Sequence, residues 1–217
     1  KPPFNARGFF DQTYQHSEIK SLFGHDRCMK KLSEFQHQIK FLLTDIDDTL
    51  TDEGLLGAEA YEALWKLHEA GIHVIPVTGR PAGWCEMIAR VWPVAGVVGE
   101  NGGFYFRYHN KKMIRDFYFD DEIQKQNRQK LEKIREEVLR EIPGCDIASD
   151  QFCRLMDLAV DFCEDVPALE KSQVQKIVDI FHRHGAQAKV SSIHVNGWFG
   201  EYNKVTISLR FLKNEFG

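Results

Sequence analysis

Asp45 and Asp47 stand two positions apart at the end of the apolar run Phe41-Leu42-Leu43, and a hydroxyl, Thr49, follows at the next alternate position. An apolar run of this length, bounded by polar residues, reads as a strand buried on both faces. Strand alternation would put both carboxylates on one side of the chain where the strand ends. Paired anions there need a cation or a proton to persist. The chemistry they suit is phosphate-ester cleavage. One aspartate can attack phosphorus in line and form an aspartyl-phosphate. A second, two residues on, can protonate the leaving oxygen and then take a proton from the attacking water. Asp45 fits the first role and Asp47 the second. Two anions beside a phosphate dianion require a divalent cation, and hard oxygen ligands point to magnesium.

Other residues could complete such a site. The Thr78 hydroxyl can donate to a phosphoryl oxygen, and the Lys204 ammonium can offset charge on the nucleophile and the phosphoryl group. Arg80 is a candidate for the phosphate or the substrate body. Plainer readings exist for each. Asp45 and Asp47 could be turn and cap residues, Thr78 a helix cap, and Lys204 a solvated lysine. A calcium loop beginning at Asp45 is excluded, because its sixth position, a required glycine, is Leu50 and its twelfth, a required glutamate, is Leu56.

The elements that would carry these groups alternate. Apolar spacing from Ala58 to Ala70 predicts a helix, closed by Gly71. Ile72 to Val77 reads as a buried strand running into Thr78-Gly79-Arg80-Pro81, with Pro81 in the first turn of a helix through Ile88. Gly96 to Gly99 is a third strand, entering Glu100-Asn101-Gly102. Strand and helix in alternation predict an α/β fold with a doubly wound parallel sheet, whose carboxyl edge then holds Asp45, Asp47, Thr78, Arg80 and Asn101.

From residue 104 to 198 the pattern changes. We expect a hairpin over Gly103–Phe119 and a long charged helix to Ile142, with Leu131, Ile134, Val138 and Leu139 inward. A strand over Arg154–Phe162, a helix from Pro167 to Gly185 and a last strand from Ala188 to about Trp198 follow. This makes a small α+β insert. His194 and Asn196 share one face of the last strand and can bind sugar hydroxyls if that face looks at the site. Arg154 and Lys189 are weaker candidates of the same kind. A helix near Lys204, with Val205, Leu209 and Leu212 on one face, returns the chain to the core at 199–217. The division expected is an extension at 1–38, core at 39–103 and 199–217, and the insert between.

A chain of 217 residues with 43% hydrophobic and 28% charged residues can bury a core as one large or two small domains. Its net charge of −4 offers no basic excess for nucleic acid, and no apolar run is long enough to span a membrane. Five scattered cysteines without a CxxC pair point to a reducing cytoplasm, not to a zinc site or a disulfide framework.

Asp45-Ile46-Asp47-Asp48-Thr49 resembles the DxDxT motif of the haloacid dehalogenase superfamily of phosphatases. Val77-Thr78-Gly79-Arg80 resembles its second motif and Lys204 its third-motif lysine. The insert lies where the larger type-two cap lies, and Glu100-Asn101-Gly102 with Ser192 to Asn196 resembles the IIB branch. That branch includes trehalose-6-phosphate, sucrose-phosphate and mannosyl-3-phosphoglycerate phosphatases and phosphomannomutases. The resemblance implies a Rossmann-like core and magnesium-dependent hydrolysis of a phosphorylated sugar or similar small metabolite. Asp45 would be nucleophile and Asp47 acid/base, with magnesium held by the Asp45 side chain and the Asp47 main-chain carbonyl. Thr78 and Lys204 would be catalytic; Thr49, Gly79, Arg80, Asn101, His194 and Asn196 would contact the substrate.

The fourth motif of that family, an acidic GDxxxD-type loop that supplies another magnesium ligand, is not among these residues. We therefore expect weak or no activity from this polypeptide by itself. Separately, a parallel core of three strands is short for this architecture, and at least one more strand is expected after Gly217. Three rivals stay open: a phosphosugar mutase with the same nucleophile, a non-catalytic binding module on the same scaffold, and a signalling receiver domain. The acid pair and the long insert speak against the last.

Overall fold

The computed structural model describes residues 39–217; the extension expected at 1–38 lies outside them. The first apolar run forms β1 (Phe41–Thr44). A two-residue hairpin follows, β2 (Thr51–Asp52) and β3 (Leu55–Leu56), turning on Glu53 and Gly54 at φ 48° and 76°. Helix α1 (Ala58–Glu69) leads through Gly71 to β4 (His73–Pro76), then α2 (Ala82–Val91) and β5 (Val97–Gly99). β1 pairs parallel with β4, Phe41 facing His73 and Thr44 facing Pro76. A parallel bridge from Val77 to Val98 sets β5 on the far side of β4. The predicted parallel core is therefore present.

The hairpin β6 (Phe104–His109) and β7 (Lys112–Phe117) was expected with the insert. It instead extends the core sheet: β6 pairs antiparallel with β5, Val98 opposite Tyr105, and β7 pairs with β6. Asn110 and Lys111, both at positive φ, make the tight turn that lets the chain fold straight back. Phe104 and Phe106 are buried beside Cys85, Ile88 and Ala89 of α2, and this packing holds the hairpin to the core.

A second correction concerns β1. Leu42 and Leu43 are 38% and 43% exposed, so the strand is not buried on both faces. Helices α1 and α2 lie over β4, β5 and β6. Among the described residues β1 has a partner on one edge only.

The insert has its own sheet and core. Helix α3 (Asp121–Glu141), capped by Asp120, is followed by β8 (Asp146–Ile147) and a 3-10 turn at Gln151–Cys153. Then come β9 (Asp157–Asp161), α4 (Lys171–Arg183), β10 (Gln187–Val190) and β11 (His194–Trp198). The strands order β10-β11-β9-β8, all antiparallel. Leu131, Ile134 and Val138 of α3 and Ile177 and Phe181 of α4 bury against Leu158, Val160 and Val195. Leu139, expected inward, is exposed, one position round the helix from Val138. The single last strand expected is two, joined by a turn at 191–193, and Arg154 lies before its strand rather than in it. Gly197 is required where it is: a β-carbon there would sit 2.1 Å from the Phe181 ring.

The chain re-enters the core at α5 (Lys204–Phe216). Its buried residues are Ile207, Ser208 and Phe211, while Val205 and Leu209 of the predicted face are 67% and 61% exposed. The helix is apolar on two sides, and Phe211 decides between them by packing on Tyr105, centroids 4.6 Å apart. No helix among the described residues is long and apolar enough to cross a membrane.

Candidate active site

The residues after β1 fold into a tight loop because the Ile46 carbonyl accepts from the amides of Thr49, Leu50 and Thr51. The Asp45 carboxylate accepts from the Ile46 amide at 2.9 Å with one oxygen. The other lies 2.6 Å from Lys204 Nζ. The loop sends Asp47 back to the same side, where Arg80 meets it: Nη2 is 2.7 Å and Nε 3.0 Å from Oδ1. The Arg80 guanidinium also lies over the Trp84 ring, 4.5 Å from its centroid. Each acid of the pair thus has its own cation, a charge-assisted contact of the stronger kind.

Lys204 is held by its cap. The Asn203 side chain accepts from the amides of Val205 and Thr206, while Thr206 returns an acceptor to the Asn203 amide. This capping box fixes the first turn of α5 and hence the root of the lysine. Gly102, at φ 109°, lets the loop after β5 pass directly beneath.

These groups open on a cavity of about 520 Å³. Asp45, Asp47, Gly79, Arg80, Asn101 and Lys204 line it from the core, and His194 and Asn196 line it from the insert. Two expected site residues lie elsewhere. Thr78 is fully buried and its Oγ1 accepts from the Arg80 amide at 3.0 Å; Thr49 is exposed outside the cavity. Of the weaker candidates, Lys189 lines the cavity, and so does Arg154. Arg154 is engaged by protein, reaching Asp150 at 2.8 Å, Asp157 at 3.2 Å and the Gly79 carbonyl at 3.2 Å. The Asn196 amide donates to Asp157 at 3.2 Å, and His194 Nε2 approaches Glu164 Oε2 to 2.8 Å.

Sequence reasoning missed Asp150, Glu164 and the Glu53–Gly54 turn, all of which line the cavity. The Glu-Gly pair at 53–54 was a readable turn signal. Glu164 had none: it is presented by a turn that the buried Asp161 holds, accepting from the amides of Cys163, Glu164 and Asp165.

Glu100 and Asp157 are buried carboxylates beside the single guanidinium of Arg154. Burial pushes the Glu100 carboxyl up to about 8, with the charge of Asp157 adding to the rise. Burial also raises Asp157, against the pull of Arg154. Both shifts favour one proton held within the group.

The fit to magnesium is incomplete. Among the described residues no three His, Cys, Asp or Glu side chains converge to hold a metal ion. The Asp45 carboxylate and the Asp47 carbonyl remain the expected ligands on this chain.

Residues 42–142 match the family model of the haloacid dehalogenase-like hydrolases. No curated protein matches the chain by sequence. Solved structures share its fold at low identity. A Thermoplasma acidophilum protein superposes with a TM-score of 0.65 at 17% identity, over 82% of this chain and 72% of that one. The C-terminal domain of C. albicans trehalose-6-phosphate phosphatase gives 0.62 at 18%, over 81% and 62%. The sucrose-phosphatase of Synechocystis, solved with sucrose and phosphate, gives 0.56 at 14%, over 82% and 71%.

Proposed function

We propose that the chain carries the catalytic acids of a phosphatase that hydrolyses a small phosphate monoester, a sugar phosphate in the first instance. The observation that carries this reading is the pair Asp45 and Asp47, each facing a cation, Lys204 and Arg80, at the floor of a cavity with a polar roof.

In the first step an Asp45 carboxylate oxygen forms a bond to phosphorus while the bond from phosphorus to the sugar oxygen breaks. Asp47 gives its proton to that oxygen. Lys204 lowers the repulsion between Asp45 and the phosphoryl oxygens. Arg80, on entry of the phosphate, has a second anion to bind and can turn from Asp47 to it. In the second step Asp47 takes a proton from water, whose oxygen bonds to phosphorus as the bond from phosphorus to Asp45 breaks, releasing phosphate and restoring the Asp45 carboxylate. Magnesium, when bound at the Asp45 carboxylate and the Asp47 carbonyl, would supply charge neutralisation. Glu164, Lys189, Ser191 and His194 offer donors and acceptors suited to hydroxyls of a sugar.

We take 120–198 as the cap, with the hairpin 104–117 going to the core. The four described cysteines are free, as a reducing cytoplasm would keep them.

The test is a phosphate-release screen over sugar phosphates with magnesium, run beside Asp45→Asn. Phosphate release that vanishes in the variant supports the reading. An isomerised sugar phosphate without free phosphate would favour a mutase. No turnover of any ester, with sugar phosphates still binding, would favour a non-catalytic module.

A further inference from the structure

Glu100 makes contacts that the catalytic reading does not use. Its side chain is fully buried and both oxygens are occupied. Oε1 accepts from the Ala82 amide at 2.9 Å, at the start of α2, and from the Leu155 amide at 3.0 Å. Oε2 accepts from the amides of Met156 at 2.5 Å and Asp157 at 3.2 Å, where the cap chain enters β9. The backbone of the same residue reaches the other way. Its amide donates to the Arg80 carbonyl at 3.2 Å, and the next amide, Asn101, donates to the Thr78 carbonyl at 3.1 Å. One residue therefore holds the loop at 78–80 by its main chain and the cap by its side chain.

Two further observations converge on it. Glu100 and Asn101 both have left-handed backbone, φ 44° and 56°. A glutamate there is uncommon and persists only where its surroundings over-determine it. From the cap side, Arg154 donates to the Gly79 carbonyl while Asp150 and Asp157 hold its fork. Cap and loop are thus joined twice, within one buried group of charges.

We propose that Glu100, with Arg154, is a positioning residue that locks the cap to the loop carrying Thr78 and Arg80, so that cap placement and phosphate-site geometry move as one. The contact itself is independent of the reaction; its catalytic meaning rests on the phosphatase reading above.

The test is site-resolved hydrogen exchange on the whole chain for wild type, Glu100→Ala and Arg154→Lys, without substrate. In Glu100→Ala the amides of Leu155, Met156 and Asp157 should exchange at least about tenfold faster, and Asn101 with them, while Leu131 to Val138 keep their protection. Arg154→Lys, a change on the cap, should speed exchange at Asn101, on the core. If Glu100→Ala does not fold, Glu100→Gln keeps the shape and one acceptor oxygen and should give the same pattern at smaller amplitude. Unchanged exchange at 155–157, or a rise shared equally by the whole cap, would overturn the proposal. So would a silent Asn101 in Arg154→Lys. Where the wild type turns over a sugar phosphate, Glu100→Gln should lower kcat by about tenfold. A wild type that shows the exchange pattern while neither binding nor hydrolysing any sugar phosphate would remove the phosphatase reading and leave the lock standing.

Discussion

Gly102 passes beneath Asn203 so closely that a β-carbon on it would stand 2.3 Å from the Asn203 carbonyl oxygen. The contact ties the loop after β5 to the cap of α5, and so Asn101 to Lys204. Gly102→Ala should therefore displace the lysine. The strain of φ 109° adds to the clash, and a loss of about 1–3 kcal/mol in stability is expected. Denaturant unfolding checks the stability. Phosphate release checks the activity, which should fall by more than the unfolded fraction explains.

Asp45 and Lys204 form the tightest ion pair of the site, at 2.6 Å. If Asp45 is the nucleophile, Asp45→Asn replaces its anionic carboxylate with a neutral amide, and turnover should fall by roughly 10⁴-fold. Lys204→Met removes charge compensation and should cost roughly 10²–10³-fold. Rapid-quench detection of a phosphoenzyme in wild type, and none in Asp45→Asn, separates nucleophile from helper.

Stability should fall as the pH rises from about 5 toward 8. An acid whose pKa is raised on folding contributes most where both states bind the proton, below its unfolded value. That contribution is lost as the pH climbs through the folded value, here about 8 for Glu100. The groups facing it are Arg154 and Asp157 before and in β9, Cys85 on α2 and Tyr202 ahead of α5. The change is on the order of a few kcal/mol. Urea midpoints across that range, with Glu100→Gln giving a flatter profile, are the measurement.

Magnesium should bind this polypeptide weakly, since the described residues bring no third carboxylate to Asp45 and Asp47. Calorimetric titration of the 217-residue chain should give a dissociation constant on the order of millimolar or weaker. Micromolar affinity, lost in Asp45→Asn, would refute the incomplete donor set.

Much of the site could be read from local pattern. An apolar run ending in Asp45 and Asp47, and another ending in Thr78-Gly79-Arg80, needed only strand periodicity and the rule that ligands meet the carboxyl edge. What escaped depends on tertiary pairing. The hairpin at 104–117 has the same sequence signature whether it joins the core sheet or the cap, and only the packing of Phe104 and Phe106 under α2 decides it. The exposure of Leu42 and Leu43 reflects which neighbours β1 has, which their own apolarity cannot tell. Glu164 and Asp150 reach the cavity through turns held by short-range side-chain bonds, Asp161 to the amides of 163–165 and Arg154 to Asp150, which no strand or helix periodicity marks.

The partners Asp45 and Lys204 are 159 positions apart in sequence. Their pairing closes a loop that contains the whole cap, and the entropy of that closure predicts that it forms late in folding. During refolding, secondary structure and cap packing should be complete before the first turnover. On the phosphatase reading the site would be a readout of finished assembly, and a partly folded intermediate would hold Asp45 without the cation that faces it.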